Sequence, residues 1–302
     1  MLPANPSSPN SRSLPWSSAS YVAPEARHPL LLGLLGVMRY ELGRSLSFSR
    51  FLGLSFMILF PVVLVLVAKM QVDQQFARIA ERSRNVPDMQ QVSWIFGAVI
   101  YALIPQVATM LSLLLWATPA VNSELEGQIW IYALIRPHGR TTLVLGKYLV
   151  AIFWAITGGC ISTTLLIPLL GLENSWQLWW TIIRLLVLSS CAYGALFLLI
   201  GTFFQRRAMV AAFIYAVAVE GLLSFLPATI NQLTISFRLR SLLVLWYEIE
   251  LPGRMENAPQ IFDLSASWHL VVGILIYTAI CLILSMLWLR RSEYSLQPEA
   301  AA

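Results

Sequence analysis

Apolar runs alternate with short polar segments along this chain, and six of the runs are long enough to matter. The first, 51–68, carries no charge and is about the minimum length for a helix to cross a bilayer at ~1.5 Å per residue. The second, 92–118, is long and uncharged, with Pro105 predicting a kink. The third, 148–170, contains Gly158, Gly159 and Pro168. The fourth, 185–204, contains Ser189, Ser190, Gly194 and Gly201, small residues that let helices approach closely. The fifth, 208–230, is apolar except for Glu220. The sixth, 268–289, has Trp268 and Trp288 at its ends, placed as interfacial anchors. The pattern predicts an all-α membrane protein with six transmembrane helices, a spanning domain over 51–291.

The segments outside the runs read differently. Residues 1–24 hold five prolines and many serines, which predicts a disordered tail, and no signal-peptide pattern is present. Residues 25–50 crowd leucines into their first half and place Arg39, Glu41, Arg44 and Arg50 in the second. This predicts an amphipathic interfacial helix with its charged face at the membrane surface; the plainer reading is an ordinary helix-entry segment. Residues 69–91 form a polar, helix-compatible outer loop. In the outer segment 231–267 the run 242–246 is too short to span, which predicts a surface or re-entrant element. Residues 292–302 form a cytoplasmic tail.

Composition agrees with a bilayer. Of 302 residues, 58% are hydrophobic and only 12% charged, about half the charge of a soluble domain. The net charge of +5 is scattered, with no basic stripe, so nucleic acid is not expected as a partner. Eleven Lys and Arg flank the spans on one side, Arg136, Arg140, Lys147, Arg206, Arg207, Arg290 and Arg291 among them, against eight on the other. The surplus places both termini and the segment 118–147 in the cytoplasm of a multi-pass protein of the cell membrane.

That segment, between the second and third runs, is the chain's polar interruption. Ser123 and Glu126 have the spacing of a capping box, and Glu124 adds negative charge at the positive end of a helix dipole. The helix should run to about residue 135, where Pro137 and Gly139 stop it and Arg136 lies near the negative end. Ile129, Trp130 and Tyr132 set large apolar side chains among these charges, a mixture suited to docking into a partner's groove. A membrane-surface helix that merely joins two spans accounts for the spacing equally well.

Glu124, Glu126 and Gly127, then a short helix, then Arg136-Pro137 and Arg140, and finally Gly146-Lys147 together resemble the permease subunits of ATP-binding-cassette exporters of the second type. Gln128 stands where that family more often has a small hydroxyl residue. The resemblance extends to a surface helix before the first span, six spans and a longer outer region before the sixth. It implies that residues 118–147 contain a cytoplasmic coupling helix seated on a separate ATPase subunit. It further implies a second permease subunit, identical or different, with ATP and Mg held by the ATPase partner and no cofactor on this chain.

The chain has no G-x-x-x-x-G-K-[ST] phosphate loop, no H-E-x-x-H, no G-x-S-x-G and no Cys/His cluster, so no catalytic centre or metal site is predicted. Cys160, Cys191 and Cys281 all lie in apolar runs and read as packing residues. Glu220 is costly in a span, about 2.5–3.5 kcal/mol on insertion scales, unless it finds a partner. Either it lines a substrate path or subunit interface, or it is a protonated or hydrogen-bonded structural glutamate. The competing functional classes are a membrane-integral lipid-modifying enzyme, which needs polar catalytic residues clustered at one face, and a non-transport membrane scaffold. The apolar spans favour a hydrophobic or amphipathic cargo.

Overall fold

The computed structural model describes residues 29–45, 48–82, 89–120, 139–172, 174–204, 207–222, 232, 234–248, 262–263 and 266–291. Among them every regular element is helical. Helix α1 is Pro29–Ser45 and α2 is Phe48–Arg82. Helix α3 is α-helical over Met89–Tyr101, π-helical over Ala102–Ala108 and α-helical again over Thr109–Trp116, closing in a 3-10 turn at Thr118–Ala120. Helix α4 is Gly139–Leu170 and α5 is Ser175–Phe203. Helix α6 is α-helical over Ala208–Tyr215 and π-helical over Ala216–Leu222. Helix α7 is Ile235–Tyr247 and α8 is Ser267–Arg291.

Among the described residues, five stretches are long and apolar enough to cross a membrane: Phe51–Gln74, Trp94–Ala120, Gly139–Leu170, Ser175–Phe203 and Ser267–Arg291. The expected sixth, 208–230, is helical over Ala208–Leu222, short of the ~20 residues a crossing needs. Its remainder, 223–230, lies outside the described residues, as do the tails 1–24 and 292–302.

Several boundaries move, each for a physical reason. Helix α4 starts at Gly139 rather than 148. Its first turns bury Thr142, Leu143, Val144 and Lys147 against neighbours, an amphipathic face that a search for apolar runs passes over. Helix α5 starts at Ser175 rather than 185. Arg184 interrupts the apolar run but not the helix, and its guanidinium lies 5.8 Å from the Trp246 ring centroid, a cation–π contact. Arg184 is therefore within a helix, where the apolar run alone put it at a span end. Helix α2 likewise continues through most of the expected outer loop to Arg82.

Pro105 does disturb α3, by widening it. A proline has no N–H to give the helix ladder and crowds the carbonyl one turn back. Around it the ladder shifts by one residue, and the Thr109 N–H and hydroxyl both reach the Ile104 carbonyl, the hydroxyl at 2.9 Å.

Helix α5 is the hub of the bundle. Two thirds (67%) of its spanning window is buried, against 17% for α2 at the periphery. Tyr193, Phe197, Leu185 and Leu186 fill the space between α5 and the helices packed on it, α3, α4, α7 and α8. Outward-facing Phe56, Leu59, Val63 and Val67 on α2, and Ile276, Ile280 and Ile283 on α8, give the long helices apolar exteriors, as lipid contact requires. Gly201 lets α5 meet the end of α3 closely: a Cβ there would stand 2.3 Å from the Thr118 carbonyl oxygen.

Helix α7, inside the segment expected at the outer surface, is inserted into the bundle between α5 and α8. Ile235, Phe237, Leu239, Leu242 and Leu243 are buried, and Tyr247 packs on Gly97.

Candidate functional site

Two polar clusters that each join several helices are built into the bundle. The first lies where α4 begins. Helix α1 presents Gly33, Val37 and Glu41, spaced four residues apart and hence on one face, to Thr142, Gly146 and Lys147 of α4. Val37 sits so close to Gly146 that a Cβ there would stand 2.6 Å from it, so only glycine admits this approach. One turn on, Lys147 Nζ meets Glu41 Oε1 at 3.0 Å, with both residues buried. The sequence placed Glu41 on a solvated face with Arg39 and Arg44. The two arginines are exposed, but Glu41 turns inward to Lys147.

At the same end, Arg140 Nη1 donates to the carbonyls of Leu289 and Arg290 at 3.2 and 3.3 Å, capping the C-terminus of α8. Lys69 of α2 caps α4 at the opposite end, reaching the Leu169 and Leu170 carbonyls at 2.8 and 3.2 Å. The start of α4, helix α1 and the end of α8 therefore share one face of the bundle. Of the residues expected to dock a partner, Arg140, Gly146 and Lys147 lie here, inside α4 and in contact with α1 or α8. Ser123, Glu124, Glu126, Gly127, Ile129, Trp130, Tyr132, Arg136 and Pro137 lie outside the described residues. An open cleft of about 200 Å³ adjoins the ion pair, walled by Trp116, Pro119, Ala120, Val150, Ala151 and Trp154.

The second cluster surrounds Glu220, which is fully buried. Its carboxylate accepts the backbone N–H groups of Ile235 at 3.2 Å and Ser236 at 3.0 Å, the first two of α7. The third, from Phe237, goes to the Thr234 hydroxyl at 3.2 Å. A glutamate from α6 thus caps a helix in another part of the bundle, its carboxyl oxygens meeting that helix's free N–H groups. The Tyr193 hydroxyl donates to the carboxylate at 3.1 Å and the Tyr215 hydroxyl at 3.4 Å, while the Ser236 hydroxyl makes a short contact to it. Gln106 Nε2 donates to the Ser236 hydroxyl at 3.0 Å, and the Tyr101 hydroxyl donates to the Ser236 carbonyl at 3.1 Å.

No protein-family model matches this chain, and no curated protein or solved structure matches it.

Each π-helical segment carries one member of this second cluster, Gln106 in α3 and Glu220 in α6. π-segments recur where a helix must re-aim a side chain, and both do so here toward the start of α7. Glu220 is hydrogen-bonded through both carboxyl oxygens. Gln106, Tyr193, Thr234 and Ser236 were not singled out from sequence. Thr234, a hydroxyl residue three before Phe237 at the start of a leucine-rich stretch, carried a readable N-cap signal. Nothing local marked Tyr193. Among the described residues no group of three or more His, Cys, Asp or Glu is placed to hold a metal ion.

Proposed function

We propose that this chain is the membrane-spanning permease subunit of an exporter powered by ATP hydrolysis on a separate cytoplasmic subunit, working with a second permease subunit and moving an amphipathic cargo. The observation that carries the proposal is the start of α4. Residues 118–147, whose motif resembles the coupling segment of the second-type exporters, feed directly into a 32-residue helix that runs the length of the bundle. At that end the helix is bound to the surface helix through Lys147 and Gly146 and to the last span through Arg140. A force applied to that segment by a partner therefore moves α1, α4 and α8 together, because their contacts there are a buried ion pair, a close apolar approach and a charged cap. In this reading that face is cytoplasmic. Tilting α4 displaces α5, the hub, and with it the helices around Glu220.

The test has two parts. Affinity isolation from the native membrane is expected to bring down an ATPase subunit whose hydrolysis responds to cargo. Glu126→Lys or Arg136→Glu is expected to leave the protein in the membrane while hydrolysis and transport become uncoupled. Isolation without any ATPase, together with function that does not require ATP, rejects the proposal in favour of a lipid-acting enzyme or a scaffold.

A further inference from the structure

We infer that α6 and α7 together form one further membrane crossing, interrupted at mid-depth, and that Glu220 is the pin that holds its two halves together. The inference stands apart from the permease reading. It starts from the direction of the helices. Helix α5 ends at the face where α4 begins: its Gly201 meets Thr118, and the Phe203 ring lies 4.4 Å from that of Trp288, next to the α8 end that Arg140 caps. Helix α8 ends at the same face, so α5 and α8 run in the same direction. Two spans that follow one another in the same direction require the chain to return across the bilayer between them. Helix α6 alone, Ala208–Leu222, is too short for that return.

The two helices divide the depth between them. Helix α6 starts just after the end of α5 and packs on the 3-10 turn that closes α3. In its last turn Glu220 accepts the N–H groups of Ile235 and Ser236, which sets the end of α6 against the start of α7. This junction lies at mid-depth, because Gln106, in the middle of the span Trp94–Ala120, and Tyr193, well inside α5, both reach it. From there α7 runs to the opposite face, where Tyr247 meets Gly97 beside Leu178 in the first turn of α5. End to end, the two helices reach about 40 Å at ~1.5 Å per residue, more than the ~30 Å of bilayer hydrocarbon.

A break in a helix inside a bilayer frees backbone groups that no water can satisfy, and it persists only where protein groups take them up. The junction supplies those groups. Glu220 takes two N–H groups of α7, the Thr234 hydroxyl takes the third, and the Tyr101 hydroxyl donates to the Ser236 carbonyl. An interrupted crossing thus explains why polar side chains from α3, α5 and α6 converge on one point. The halves pack on different neighbours, α6 on α5 and the end of α3, α7 on α5 and α8. The Glu220 contacts therefore tie one half to the other.

Cysteines at Arg207 and Glu248, both exposed, flank the proposed crossing. In the full chain, cysteine-free elsewhere and held in sealed vesicles, an impermeant maleimide is expected to label Arg207→Cys from the side that labels Arg290→Cys. Glu248→Cys is expected to react only from the opposite side. Labelling of both from one side overturns the crossing. Spin labels on the Arg207→Cys/Glu248→Cys pair are expected to give a single distance of about 40 Å, and Glu220→Ala is expected to spread it into a broad distribution. A Trp176→Cys/Arg290→Cys pair, whose sites lie on α5 and α8, is expected to keep its distance in the same variant, which shows that the rest of the bundle is folded. A first-pair distance unchanged by Glu220→Ala, or equal broadening of both pairs, overturns the pin. None of these readouts involves ATP or a partner subunit, so a failure of the permease reading leaves them standing.

Discussion

At the scale of single residues, the buried pair Glu41–Lys147 is the most exposed to mutation, in the energetic sense. Removing one partner leaves the other charge buried and uncompensated, which typically costs about 3–5 kcal/mol, whereas replacing both with apolar side chains of similar size is often neutral. Lys147→Met and Glu41→Leu alone are therefore expected to lower the unfolding temperature in detergent markedly. A Glu41→Leu/Lys147→Met double variant is expected to recover most of the loss. A coupling energy near zero in that double-mutant cycle would mean the ion pair is not formed. The residue scale also shows what a single sequence conceals. Glu41 sits between Arg39 and Arg44 in a charged stretch, and nothing local says that it alone turns inward. Its partner is 106 positions away, and only the packing of α1 on α4 brings them together.

The capping of α7 belongs to the scale of elements. Three N–H groups at its start are taken by Glu220 and Thr234, and each would otherwise be a buried, unsatisfied donor. Glu220→Gln keeps one acceptor oxygen and is expected to cost about 1–3 kcal/mol. Glu220→Ala removes both and is expected to cost more, and Thr234→Ala about 1 kcal/mol. Backbone hydrogen exchange checks the assignment directly, since the losses should appear as faster exchange across Ile235–Tyr247 while α4 stays protected. Uniform acceleration across all helices would show instead that Glu220 acts on the whole bundle. Helix existence was legible from the apolar runs because length and hydrophobicity specify a spanning helix with little help from neighbours. Helix starts were less legible. The first turns of α4 and α5 carry Arg140, Lys147, Gln177 and Arg184, which interrupt an apolar run without interrupting the hydrogen-bond ladder.

For the whole molecule, the arrangement makes a sided prediction. Helix α1, the start of α4 and the end of α8 share one face, and the Lys69 cap on α4 marks the other. In a cysteine-free background, Arg39→Cys and Arg290→Cys are expected to react with an impermeant maleimide from the same side of sealed vesicles. Trp176→Cys, exposed at the start of α5, is expected to react only from the opposite side. Labelling of Arg39→Cys and Trp176→Cys from one side would contradict the arrangement.

The sequence by itself determined that this is a helical protein with long apolar spans, that a polar segment interrupts them, and that one glutamate needs a partner. Those properties follow from composition and periodicity along the chain, which act over one or two helical turns. The tertiary structure alone decided that Glu220 caps α7, that α7 enters the bundle, and that Lys147 is paired with Glu41. Each of those depends on groups brought together from separate helices. Their energies, a desolvated charge matched or a helix end satisfied, exist only once the helices have packed.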